Sequence, residues 1–482
     1  MKHIFKISFL LVLITVLSCN KAIEIEPTHS ATAENAFKSI ADFDKGIADV
    51  YINLRAVGCY GRNLSMLGDM MTDNLSEVGS SLANFREMTD WGYTSANGTV
   101  AETWVGCYLV INSANIIINN IDKYNTSATA KTVNRIKGQA TAIRAMAHFD
   151  LLRLFADSYD RNATGLGISY VTTSVLEASP ASSKPSRLTI KESYDKIYAD
   201  IAAAKTMLAD VDVAINTSTV RDKMDLIGVS ALQARVALYA KDYPTAITNA
   251  TTVINALPLA SKAVFPQIWK DGSVAEVAFA IFFSSTEGVR VSGDVYSGAT
   301  DRLQFQGATE LFAQIDEVND VRFAAYVTRG YTTGITAHTG LLVPIKYLGK
   351  STAKDGYVNF KAFRTSEMYL IRAEAYANTT GQVVNALADL NTLRAARITG
   401  FVTGIETGAA LTSAIELERR KELFLEGHRW FDLKRTSRTI ARQNCGTPAT
   451  ACTLASASVK WTWPIPQGET LANPNMQPNP GY

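Results

Sequence analysis

Glu422 and Glu426 stand four residues apart in the charged run Glu416–Arg435 (E-L-E-R-R-K-E-L-F-L-E-G-H-R-W-F-D-L-K-R). On a helix that is about one turn, or about 6 Å of axial rise. Paired carboxylates in glycoside hydrolysis lie roughly 5–9.5 Å apart, so the spacing admits a helical surface glycoside hydrolase. The same turns also hold Arg419, Arg420, Lys421 and Arg429. Glu416 would reach Arg420 at i,i+4 and Glu426 would reach Arg429 at i,i+3. Opposite charges hold a carboxylate ionised, the reverse of what a general acid needs. The run therefore reads as ion-paired helix surface or interhelix contact, with the hydrolase kept as an alternative.

Other catalytic signals are missing from the sequence. It has no G-x-S-x-G, H-E-x-x-H, P-loop or G-x-G-x-x-G motif. His29, His148, His338 and His428 are scattered without metal-ligand spacing, and His148, beside Phe149, reads as a structural residue. No cofactor or metal is called for, and the chain is expected not to be an enzyme.

The N-terminus reads as a targeting segment. Lys2 and Lys6 precede an apolar run, Ile7 to Leu17, that is too short for a permanent span. Val16-Leu17-Ser18-Cys19 resembles a bacterial lipobox, which would make Cys19 a lipidated first residue; the alternative is an ordinary signal peptide. Several acyl chains anchor stably where one does not. No other run suggests a span. Cleavage would leave 464 residues with a formal net charge near zero, down from +2. Such a balance has no basic bias toward nucleic acid. Of the remaining cysteines, Cys445 and Cys452 flank a Gly-Thr-Pro turn and are expected to pair; pairing of Cys59 with Cys107 stays open.

Helical periodicity dominates the rest. Ala36–Leu54, Thr103–Ile121, Ile136–Phe155 and Ile190–Leu208 carry apolar residues at spacings of three and four. Leu226–Ala256 reads as two helices around Lys241-Asp242-Tyr243, with Pro244 in the first turn of the second. Ser366–Arg397 repeats the pattern about 140 residues later, and both pairs look like tetratricopeptide repeats. The expected fold is mainly α, with helix pairs forming a scaffold and loop-rich insertions carrying minor β structure. The expected division is a signal peptide (1–18), a tether (19–35) and a single domain (36–482). Within that domain the scaffold lies mainly at 36–57, 100–257 and 361–438. Insertions occupy 58–99 and 258–360, and a tail occupies 439–482. About 100 residues between helix pairs is too long for a structureless loop, so the second insertion should hold substructure and binding surface. Ala275–Phe283 and Leu341–Leu348 are its candidate strands.

Several motifs, in order, carry a resemblance. They are the lipobox, G-D-M-M-T-D-N at Gly68–Asn74, R-A-M-A-H-F-D-L-L-R-L-F at Arg144–Phe155 and Y-L-I-R-A-E-A-Y at Tyr369–Tyr376. Asn391-x-x-Arg394, the Glu416–Arg435 run and a tail of W-P-I-P to N-P-G-Y follow. Together they resemble the SusD/RagB family of surface nutrient-binding lipoproteins. The resemblance implies a non-enzymatic, lipid-anchored protein on the outer-membrane surface. Such a protein binds oligosaccharide and closes over a SusC-like TonB-dependent transporter; some relatives look adapted to peptides or other nutrients. Sugar recognition needs a flat aromatic against the ring and polar groups for its hydroxyls. The candidates are Asp73, Asn74, Trp91 and Tyr93 in the first insertion, and Trp269, Tyr296 and Arg302 in the second. Each aromatic could instead pack its loop onto the helices.

Overall fold

The structure is a computed structural model that describes residues 37–175, 184–286, 288–330, 338–445 and 451–482. The leader, the tether and Cys19 lie outside the described residues.

Capping at the helix starts is explicit. α1 (Ile40–Leu54) begins at Ser39, whose hydroxyl and amide both bond the Asp42 carboxylate. α2 (Gly98–Asn120) starts at Asn97, which accepts the Val100 amide at 3.1 Å. α3 spans Ala130–Phe155. α4 (Ile190–Leu208) starts at Thr189, which closes a capping box with Glu192. α5 (Leu226–Tyr239) and α6 (Tyr243–Ala256) are capped by Asp225 and Asp242. Ala231, Ala234 and Ala237 of α5 and Ala246 and Ala250 of α6 are all buried, and small side chains like these let helix axes approach closely. α2 is apolar and long enough to pass for a membrane span, a signal the sequence alone did not raise. It is packed between α1 and α3 as a core helix.

α7 (Thr365–Ala377) and α8 (Val383–Arg397) form the second clear pair. Although far from α6 in sequence, α7 packs directly on it, so the two pairs stack in space. The insertion between them leaves and returns at one place. β2 (Val277–Ile281) and β8 (Phe360–Arg364) pair antiparallel across its base. The two insertions are also joined, because β1 (Leu75–Glu77) pairs antiparallel with β5 (Phe305–Gly307). Two further hairpins lie in this layer: β3 (Tyr296–Ser297) with β4 (Arg302–Leu303), and β6 (Val327–Arg329) with β7 (Leu342–Pro344). In the tail β9 (Ile440–Ala441) pairs with β10 (Thr453–Leu454), and Cys445 is bonded to Cys452 beside it, their Cα atoms 5.2 Å apart. Cys59 and Cys107 are buried free thiols.

The charged run is not one helix. α9 (Gly408–Glu422) stops at Glu422, and α10 (Arg429–Arg435) starts after a turn. Leu425 (φ 57°) and Gly427 (φ 73°) are left-handed there. A Cβ on Gly427 would stand 2.2 Å from the Leu64 carbonyl oxygen, so only glycine fits. The buried Asp69 carboxylate fixes the turn by accepting the amides of Leu425 (3.0 Å) and Gly427 (3.2 Å). Burial pushes its pKa up to about 6.

Candidate functional site

The two carboxylates with catalytic spacing are locked in the core. Glu422 is fully buried and meets Arg322 (3.2 Å), Arg364 (3.0 Å) and Arg397 (3.0 Å). Those guanidinium groups hold its carboxyl well below the usual range, outweighing burial. Glu426 lies in the turn and meets Arg364 at 2.6 Å and Lys346 at 2.6 Å. The pairings read from helical spacing are different in space. Glu416 meets Arg438 (2.8 Å), and Arg429 forks onto Asp73 (two bonds of 2.7 Å). No face of Glu422 is left for a substrate. His148 is equally enclosed: its Nδ1–H donates to the Arg144 carbonyl (2.9 Å) and its Nε2 accepts the Val171 amide (3.1 Å). Burial lowers its pKa to about 3.

The candidate ligand residues chosen from sequence are mostly internal. Asp73 is held by Arg429, and Asn74 bonds Asp69 (2.6 Å) and Arg420 (2.9 Å). Trp91 is buried, donating its Nε1–H to the Met71 carbonyl at 3.0 Å under the Arg442 guanidinium. Tyr93 is buried and donates to the Lys460 carbonyl of the tail. Trp269 packs among Phe265, Tyr326 and Tyr347, with the Lys346 ammonium 4.1 Å from its ring centre. Tyr296 is buried, its hydroxyl 3.0 Å from Asp301. Of the seven, only Arg302 is exposed. The other six fasten loops to each other and to the scaffold.

Residues 282–286, 288–302 and 348–359 carry exposed aromatic and charged side chains. Phe282 follows the last residue of the buried strand β2 and is 40% exposed. Lys350 holds its ammonium 4.9 Å from the Phe282 ring centre and donates to the Phe283 carbonyl at 3.1 Å. Tyr357 is half-buried, with the exposed Arg290 stacked on it at 4.9 Å. Arg290 Nε donates to the Asp355 carbonyl (2.8 Å), and the Asp355 side chain accepts the Tyr357 amide (3.1 Å). Gly356 makes this possible. Its φ is 79°, and a Cβ would press the Arg290 side chain at 3.1 Å. Gly298 likewise lets the β3–β4 hairpin close on Lys354, where a Cβ would stand 2.6 Å from a carbonyl. The hairpin brings Arg302 into the same layer. Two aromatic faces, each beside a charged group, suit a ring with an apolar face and a polar rim. The sequence carried one signal here, Asp355-Gly356-Tyr357, since Asp-Gly marks a tight turn.

The molecule is a helix-pair scaffold carrying a loop-rich layer built by its two insertions, and comparison with known proteins gives its family. The family model described as "SusD family" matches residues 342–482, and one described as "Starch-binding associating with outer membrane" matches residues 26–238. SusD-like protein P2 of Formosa agariphila is 25% identical over 99% of both chains, and SusD-like protein P38 of the same organism is 23% identical over 96% of both. A SusD superfamily structure from Bacteroides thetaiotaomicron superposes with a TM-score of 0.81 at 24% identity, covering 92% of this chain and 100% of the other. A structure described as a putative sugar binding protein from Bacteroides vulgatus gives 0.77 at 25% identity, covering 93% and 99%. The chain belongs to the SusD/RagB family.

Proposed function

We propose that this protein captures oligosaccharide at the outer-membrane surface and passes it to a SusC-like TonB-dependent transporter. Cys19 carries the lipid that holds it there. Family membership supports the glycan class, and the Val16–Cys19 lipobox supports the anchor. The observation that carries the site is the exposed Phe282 and half-exposed Tyr357 set among Lys350, Arg290 and Asp355. The aromatic faces stack the sugar ring, and the charged groups with Arg302 bond its hydroxyls. The protein acts as a binder: Glu422, the helical member of the Glu422 and Glu426 pair, is closed off by three arginines.

A glycan array on residues 20–482 names the ligand, and affinity gels containing that glycan then test the site. Phe282→Ala and Tyr357→Ala are each expected to weaken retardation about tenfold, and the pair to abolish it. Unchanged retardation in the double variant removes the site. Capture of peptides with no array signal turns the reading to peptide cargo. Membrane retention of Cys19→Ala removes the anchor.

A further inference from the structure

The first insertion leaves the scaffold after α1 and returns at the start of α2, and a cysteine stands near each foot. Cys59 lies in the turn Val57–Gly61 and Cys107 on α2; each is 1% exposed. Two glycines bring the backbones together. A Cβ on Gly58 would stand 2.2 Å from the Glu102 carbonyl oxygen. A Cβ on Gly106 would stand 3.4 Å from the Gly58 Cα and 3.1 Å from the Cys59 Sγ. Asn63 fixes the register by donating to the Thr103 hydroxyl at 2.9 Å. Cys59 and Cys107, which follow the two glycines, are thereby set side by side. They are free thiols in the structure and share a hydrogen bond.

That contact, and then burial, push the Cys107 thiol well above its usual range. A buried thiol of this kind offers no reactive thiolate once the chain has folded. Export to the cell surface, on which this inference rests, brings the chain into an oxidising compartment. The pair is exposed to an oxidant there until the turn closes on α2.

We propose that Cys59 and Cys107 are joined during folding as a buried disulfide that closes the first insertion at its base. Two S–H bonds break and one S–S bond forms. Two electrons and two protons pass to the disulfide of a thiol–disulfide oxidant, which leaves as a dithiol. The bond rings the insertion from residue 60 to its return at residue 99. A crosslink around so long a segment restrains the unfolded chain more than the short Cys445–Cys452 loop does.

Alkylation of the full chain, recovered from the outer membrane of cells grown in air, tests it. The protein is unfolded in guanidinium chloride with iodoacetamide and no reductant, then cut with trypsin. Cys59 and Cys107 are expected to carry no label. Peptides 56–62 and 87–123 should appear as one linked species that reduction separates. Labels on Cys59 and Cys107 with Cys445–Cys452 intact overturn the pairing and leave export standing. Labels on all four show that the chain met no oxidant, and the pairing falls with the export it rests on. Under native conditions in dithiothreitol, only the Cys445–Cys452 bond should open, because Cys452 is exposed. Equal opening of both bonds overturns a linked pair sealed in the core.

Discussion

Single residues show how far burial reshapes charge. Glu418 is held down to about 2 by Arg322, Lys421 and Arg394 despite complete burial. A carboxyl depressed in the folded state contributes stability above its unfolded pKa of 4.5 and loses it as pH falls toward 2. Lys434 runs the other way. Burial lowers its pKa from 10.5 to about 7. Between those values the unfolded chain holds the proton and the native one does not, so stability rises with pH across the window. Lys434→Met removes that term. In denaturant titrations the variant should lose ground to the parent by about 1–3 kcal/mol between pH 6.5 and pH 9. A difference independent of pH would refute the shifted lysine. Removing one partner of a buried pair costs about 3–5 kcal/mol, and Glu422→Gln is expected to lower stability by that amount without creating or abolishing any sugar release.

Secondary-structure elements explain why the charged run misled at close range. Its charges suggested that Glu416 and Glu426 pair with Arg420 and Arg429 along one helix, but the Gly427 turn breaks that helix, and only pairs within each half, such as Glu418 with Lys421 and Asp432 with Arg435, keep helical spacing. Glu426 meets Arg364 at the end of β8, and Arg429 meets Asp73 in the first insertion. Gly427→Ala forces φ 73° on a residue with a Cβ and drives it against Leu64. The expected cost is at least about 2 kcal/mol, read as a lower denaturant midpoint. A loss under about 0.5 kcal/mol would show that the turn relaxes freely.

For the whole molecule, the scaffold and insertions share one interior. Glu422 and Arg397 belong to scaffold helices, whereas Glu276, Arg322 and Lys346 come from the long insertion, and Arg364 ends the strand that closes it. Breaking such a network in one part leaves buried charge in the other. Thermal unfolding should therefore be one transition, with calorimetric and van't Hoff enthalpies equal within error. Two resolved peaks would separate insertion from scaffold.

The chain's periodicity determined the helices, because 3.6-residue spacing and caps such as Thr189 with Glu192 are local. Its ordered motifs determined the family, and the breadth of the insertions marked where loops would gather. Which aromatics face solvent was a tertiary decision. Trp91, Tyr93, Trp269 and Tyr296 have the chemistry of sugar contacts and are used instead as core, because a long insertion must bury its largest side chains to hold its shape. Phe282 is exposed and Tyr357 half-exposed by position alone, one past a strand end and one beside a left-handed glycine. Burial depends on what packs opposite, and a residue's type and spacing do not carry that information.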